Sequence, residues 1–244
     1  MPKELTFDQL ADGYKKTIVT AHRLMLAAMN LLEEYPEISL GLAELGQEEI
    51  GKSLSILSAF QFESKSANWK WFWSGWKNHQ LKAHRAYLYE LIYPLRINRI
   101  QKDGSSVSLL GTRSKISQER EWSFYVNFDS TTSTFQSPEE NIMEIESANR
   151  IITLLYLATT ARSVGLCLEE LGTRSAYKAL SEVALRICST NLNQQNMTSV
   201  FGEFQHRSSE NAEILASLRK HLEEGRKSLA KYTRRESTQA AEYP

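Results

Sequence analysis

The sequence predicts an all-α protein with one small strand-bearing insert at about residues 103–137, and three observations predict it. Apolar residues recur at alternating spacings of three and four through the first thirty residues. The run Ser137-Pro138-Glu139-Glu140 spells a helix start. Between Asp103 and Ser137 the helical period disappears, and Trp122, Phe124, Val126 and Phe128 alternate with more polar neighbours as a strand does.

The elements follow in order. Thr6 and Gln9 form a capping box, and Leu10, Tyr14, Ile18, Ala21, Met25, Ala28 and Leu32 line one face of a first helix that ends at Pro36. A second helix is expected from about Ile38 to Glu63. A third runs from about Trp71 to Leu91 and stops near Pro94, antiparallel to the second. After the insert, Ser137 as N-cap and Pro138 at the first helical position open a helix that Gly172 ends. Two more helices are expected at about Arg174 to Ser189 and Thr198 to Tyr232. The polar tail from Arg234 should fray, which leaves a single domain over residues 1–233 and a tail over 234–244.

Composition bounds the class. The 244 residues carry 41% hydrophobic and 24% charged side chains, enough to bury a sizeable core. Cys167 and Cys188 have neither metal-ligand spacing nor the density of a disulfide framework, so a reducing cytoplasm is expected. Residues 1–23 lack the apolar centre of a signal peptide, and the run Ile151 to Leu157 is too short to cross a bilayer, so no membrane partner is expected. Of the Glu-x-x-His pairs that a di-metal bundle needs, only Glu203 to His206 has the spacing, and neither metal nor cofactor is expected.

Net charge is zero, yet the charges are unevenly placed. From Lys65 to Lys102 eight basic residues face the single acid Glu90, while Glu33, Glu34, Glu37, Glu44, Glu48 and Glu49 precede with no base until Lys52. The basic segment reads either as a charged face complementing its neighbour or as a phosphate-binding surface. In the second case Trp69, Trp71, Trp73, Trp76, Tyr87 and Tyr89 would stack the bases of single-stranded nucleic acid.

Glu49 is the most informative single residue. At about 100° per residue, Ile38, Leu42, Leu45, Ile56 and Phe60 gather within roughly 40° of it, so a carboxylate falls in the apolar stripe of the second helix. Such a charge is costly unless paired. On the third helix His79 borders the apolar face and Lys82 lies one turn on. Both can reach Glu49 if the two stripes pack, and Lys52 can reach it along its own helix. Gly46 would let the backbones approach. The cluster reads either as a register-fixing bridge or as a reaction site.

The run Ala43-Glu44-Leu45-Gly46-Gln47-Glu48-Glu49-Ile50-Gly51-Lys52, then His79-Gln80-Leu81-Lys82, then Arg120 ahead of Phe124-Tyr125-Val126-Asn127-Phe128 and Pro138, resembles the AbiV-type abortive infection proteins of the HEPN superfamily. The resemblance implies a HEPN-like helical bundle, a homodimer, a role in phage defence and, by superfamily analogy, cleavage of RNA. Two features depart from the pattern. None of the five histidines follows an arginine with four to six residues between them, the nearest substitutes being Lys77 before His84 and Lys15 or Lys16 before His22. Asn127 also stands where an acid is usual.

Two functions fit. In a metal-independent ribonuclease, His79 would move the proton, Glu49 would orient it, and Lys82, Lys52, Arg120, Lys77 and Arg85 would supply cations for the phosphate. Alternatively, a non-catalytic helical module would sense a phage protein or arrest translation by binding.

Overall fold

The computed structural model describes residues 3–88, 123–129, 133–141, 144–189 and 208–239. Arg120, Trp122, Tyr89 and the pair Glu203 and His206 lie outside them, as does most of the predicted insert. The described elements are α1 (Phe7–Leu31), α2 (Pro36–Ala59), α3 (Asn68–Lys77), α4 (His79–Tyr87), β1 (Asn127–Asp129), β2 (Thr134–Gln136), α5 (Pro138–Asn141), α6 (Glu144–Leu171), α7 (Arg174–Ser189) and α8 (Ser208–Gln239). Among the described residues the fold is an all-α bundle with one short hairpin.

Helix α1 begins at the predicted capping box. Gln9 N donates to Thr6 Oγ1 at 3.3 Å and Thr6 N to Gln9 Oε1 at 3.0 Å. Its inward face is the predicted one, with Leu10, Tyr14, Ile18, Ala21, Met25 and Ala28 buried. Pro36 does not merely stop α1; it occupies the first turn of α2, where its missing N–H costs nothing.

Helix α2 is the axis of the bundle. It packs against α1, α4, α6 and α7, and 18 of its 24 residues are buried. The first half of the stripe predicted to face the core is the helix's least buried side: Ile38 is 38% exposed, and Leu42, Leu45 and Glu49 are only half-buried, whereas Ile56 farther along is in the core. A helix enclosed on four sides has no single apolar stripe, so a one-stripe reading of the sequence misplaces the residues up to Glu49. Its interior is small and polar in part. Ser53, Ser55 and Ser58 are buried with their hydroxyls donating to the carbonyls of Ile50, Gly51 and Ser55.

The predicted third helix is two helices. Asn78 leaves the helical region at φ −92°, ψ 105°, and its Oδ1 accepts from Leu81 N at 3.0 Å, so it caps α4. Helix α3 turns its aromatic residues inward. Trp69 and Phe72 are buried, Trp73 and Trp76 pack against the core, and edge-on contacts join Phe62, Trp69, Phe72 and Trp73. Of the aromatic residues that the nucleic-acid reading would stack, Trp69 is thus core and Trp73 and Trp76 pack against it, while Trp71 is 37% exposed; Tyr89 and the Tyr87 side chain lie outside what is described.

Helix α4 approaches α2 at backbone distance. A Cβ built on Gly51 would fall inside the carbonyl group of Lys82, and Gln47 Nε2 donates to Ala83 O at 2.8 Å. The close approach expected at Gly46 is made at Gly51 instead; Gly46 faces Ala21, Leu24 and Met25 of α1. Only glycine permits the α2 to α4 contact.

The strand expected from Trp122 begins later. Residues 123 and 124 are helical, and the hairpin pairs Asn127 with Gln136, Phe128 with Phe135 and Asp129 with Thr134. Phe124 lays its ring on Gly41 of α2, while Tyr125, Val126 and Phe135 are exposed. Pro138 opens α5 as predicted. Gly172, at φ +60°, lies just past the end of α6. Helix α8 extends to Gln239, so the segment from Arg234 continues the helix rather than fraying there. It docks on α6 through Ile214, Leu215, Leu218, Leu222 and Leu229, and through Glu170, which accepts from Lys220, Ser217 and His221. Those donors hold the Glu170 carboxyl at about 2. Among the described residues no helix is long and apolar enough to cross a membrane.

The backbone contact at Gly51 gives a sharp expectation. Gly51→Ala should destabilise the fold by about 3 kcal/mol or more, because a helix backbone has to move. Gly46→Ala should cost clearly less, since its nearest obstacle, at 2.7 Å, is the mobile end of Met25. Urea denaturation of the two variants checks the order.

Candidate functional site

The polar cluster forms between α2 and α4, with Glu48 at its centre. Glu48 is 7% exposed and Lys82 is 4% exposed. Glu48 Oε2 accepts from His79 Nδ1 at 2.7 Å and from Lys82 Nζ at 3.0 Å. Lys82 Nζ also stands 3.5 Å from His79 Nδ1. A carboxylate can only accept, so the Nδ1 proton belongs to the Glu48 bond and Lys82 serves Glu48 rather than the ring. Imidazole geometry then puts Nε2 on the far edge of a side chain that is 54% exposed.

Local structure explains the convergence. Asn78 starts α4 one residue before His79, which places His79 and Lys82 on neighbouring positions of its first turn. The N-terminal end of a helix favours an anion, and Glu48 meets α4 there. Gly51, one turn along α2 from Glu48, brings the backbones close enough for direct bonds. Burial raises the Glu48 carboxyl, but bonds from His79 and Lys82 outweigh it and leave the group below its ordinary value.

The structure moves the pairing by one residue. Glu49, expected to meet His79 and Lys82, instead pairs with Lys52 on its own helix; each side chain keeps 19% exposure. A shift of one residue turns a side chain about 100° around the helix, enough to exchange the α4 side for the rim. Lys52 Nζ also lies 5.5 Å from the centre of the Trp76 ring.

The other expected cations divide. Lys77 is exposed at the last turn of α3. Arg85 is 2% exposed: its Nη1 donates to Ser55 Oγ at 2.7 Å and its guanidinium lies 4.2 Å from the Trp71 ring centre. Arg85 is thus a buried tie between α4 and α2, not a surface cation. Arg120 lies outside the described residues. Among the described residues no group of three or more metal-ligating side chains comes together. Sequence reasoning missed Glu48, although it stands beside the residue chosen and shares its chemistry.

A family profile described as AbiV (HEPN_AbiV) matches residues 9–158, more than half of the chain, and its span takes in Glu48, Lys52, His79 and Lys82. No curated protein and no solved structure matches.

The cluster's energetics are open to measurement. Glu48→Ala strands a buried ammonium and should cost about 3–5 kcal/mol, whereas His79→Ala, on an exposed ring, should cost less than about 1 kcal/mol. Because the folded-state value of Glu48 lies below its ordinary 4.5, its pairing stabilises the fold above that pH. The contribution is lost as pH falls through the lowered value. Denaturant melts at pH 6 and pH 3 should show a smaller acid-induced loss in Glu48→Gln than in the parent protein.

Proposed function

Because the chain belongs to the AbiV family of HEPN proteins, we propose that it is an abortive-infection defence protein whose working group is His79, acting on RNA without a metal. One observation carries this reading: an exposed imidazole is held at 2.7 Å by a buried carboxylate that a buried lysine also binds. Cleavage at a 2′-hydroxyl needs a proton acceptor near neutrality, a proton donor for the leaving oxygen, and cations beside the phosphate. Histidine is the side chain whose ordinary titration range suits the first two tasks.

In this reading Glu48 orients the ring, as carboxylates behind reactive histidines do. Lys82 neutralises Glu48 and does not meet substrate, since its side chain is only 5% exposed. Among the described residues, the cations expected for a phosphate that remain open to one are Lys77, on the surface, and Lys52, at the rim. Glu49 holds Lys52 and takes no part in the proton transfer.

A second reading, binding without cleavage, has its own support. Lys82, Arg85, Trp69 and Phe72 are all turned inward, so these four are not available for gripping a strand. A phage protein or part of the translation machinery would then be the target, with a homodimer as the acting form.

The purified protein, incubated with total RNA and with tRNA in the presence of a chelator, should cut RNA. His79→Ala should lower the rate by about a hundredfold or more while its melting temperature stays within a few degrees of the parent. Intact RNA in both samples, together with undiminished phage protection by His79→Ala cells, would favour the binding module and end the ribonuclease reading.

A further inference from the structure

The segment before α1 makes contacts that neither the core nor the Glu48 cluster requires. Residues 3–5 lie across the connection between α2 and α3. There Glu4 uses both carboxylate oxygens: Oε1 accepts from Lys65 N at 2.6 Å and Oε2 from Ser64 Oγ at 2.9 Å. One residue earlier, Lys3 O accepts from Trp73 Nε1 of α3 at 2.6 Å. Leu5 packs against the core between these bonds and the capping box at Thr6. The segment is a strap, bonded to the turn that leads into α3 and to α3 itself.

The turn benefits from such a partner. Lys65 stands at φ +60°, in the left-handed region that costs a residue with a Cβ about 1 kcal/mol or more. A charged acceptor binds its N–H more strongly than a neutral one and offsets that strain. Helix α3 benefits as well. Trp69 and Phe72 anchor its inner side, but α3 packs against α2 far less extensively than α4 does. Helix α4 is fixed separately, by the backbone contact at Gly51 and the bond from Gln47 to Ala83 O.

Aromatic contacts along α3 lead from the strap to the rim of the candidate site. Trp73 lies edge-on to Phe72 with centroids 4.9 Å apart and to Trp76 at 6.1 Å. The Lys52 ammonium stands 5.5 Å from the centre of the Trp76 ring, while Glu49 binds it from the same helix. A cation keeps its attraction to a ring only within about 6 Å of the centroid, so a small displacement of α3 releases Lys52 from Trp76. His79 is insulated from that displacement. Glu48 holds its ring, and Asn78 breaks the helix between α3 and α4.

We propose that Glu4 and Trp73 are positioning residues for Lys52: the strap they close sets the place of α3, and α3 sets the place of the cation at the rim. The assignment rests on the reading of Lys52 as a cation for the phosphate. It adds a control point that touches no residue of the Glu48 cluster.

The full chain is compared with Glu4→Ala, Trp73→Phe and the double variant Glu4→Ala, Lys65→Gly by hydrogen exchange, by the NMR signal of the Lys52 side chain and by RNA cleavage. In Glu4→Ala and in Trp73→Phe the α3 amides should exchange about tenfold faster, as expected for one or two lost hydrogen bonds, with α2 and α4 unchanged. The Lys52 methylene protons beside the ammonium, shifted by the Trp76 ring, should move toward the position of a free lysine. KM for RNA should rise about three- to tenfold while kcat stays within about twofold, because the proton-transfer group is untouched. Glycine accepts φ +60° without strain, so adding Lys65→Gly to Glu4→Ala should recover the α3 exchange and the Lys52 signal. Glu4→Ala alters an exposed side chain and gives the reading if Trp73→Phe folds poorly. A parent protein that cleaves no RNA ends the ribonuclease reading alone, and exchange and the Lys52 signal then decide the strap. Unchanged α3 exchange or an unmoved Lys52 signal in Glu4→Ala would overturn the proposal. So would exchange that quickens equally in α2 and α4, or a fall in kcat in place of the rise in KM.

Discussion

Helix α2 has neighbours on four sides, and much of what is distinctive in the structure follows from that enclosure. A helix surrounded in this way has to be thin. Its buried positions include Gly41, Gly46 and Gly51 and the serines 39, 53, 55 and 58, beside larger residues such as Ile50, Leu54 and Leu57. Any charge it carries must also be met where it stands, because desolvating a carboxylate costs several kcal/mol. Glu48 satisfies this by meeting Lys82 and His79 together, and the contact exists because Gly51 lets α4 come down to the α2 backbone. Thinness and charge compensation are thus one requirement at this place, and they set the geometry of the candidate site.

The features legible in the sequence were those decided within a few residues of themselves. The Thr6 capping box, the inward face of α1, the start at Pro138 and the left-handed Gly172 each rest on local chemistry. Asn78 carried a local signal as well, since asparagine is a strong N-cap, but it sits inside an apolar rhythm that continues across it. That rhythm suggested one helix where the chain makes two. Glu48 and Glu49 could not be told apart because the choice depended on how many neighbours α2 has, which no stretch of α2 records. The Arg162 to His22 contact spans 140 residues and leaves no periodic trace at all.

Formal charge also proved a poor guide to surface charge. Of the basic residues between 65 and 88, Lys82 and Arg85 are buried and bonded to α2, so the field outside α4 is weaker than the sequence suggests. The aromatic residues of α3 follow the same logic. Trp69 and Phe72 supply core volume in a short helix that has few aliphatic residues to offer. Among the described residues, what remains at the surface near Glu48 is an oriented histidine, with the Glu49 and Lys52 pair at the rim.

A cavity between α1 and α6, lined by His22 and Arg162, differs from the α2 to α4 seam in what builds it. The seam lies wholly within residues 9–158, the span that matches the AbiV profile. The cavity takes its α1 side, including Ile18, His22 and Arg23, from that span and Arg162, Gly165 and Leu166 from beyond its end. The Glu48, His79 and Lys82 cluster therefore lies in the part of the chain that matches the family. The cavity at Arg162 depends also on how α6 continues after Ala158. A substitution in the later half of α6 can alter the second without touching a residue of the first, which makes the two sites separable by mutation even though both lean on the same central helix.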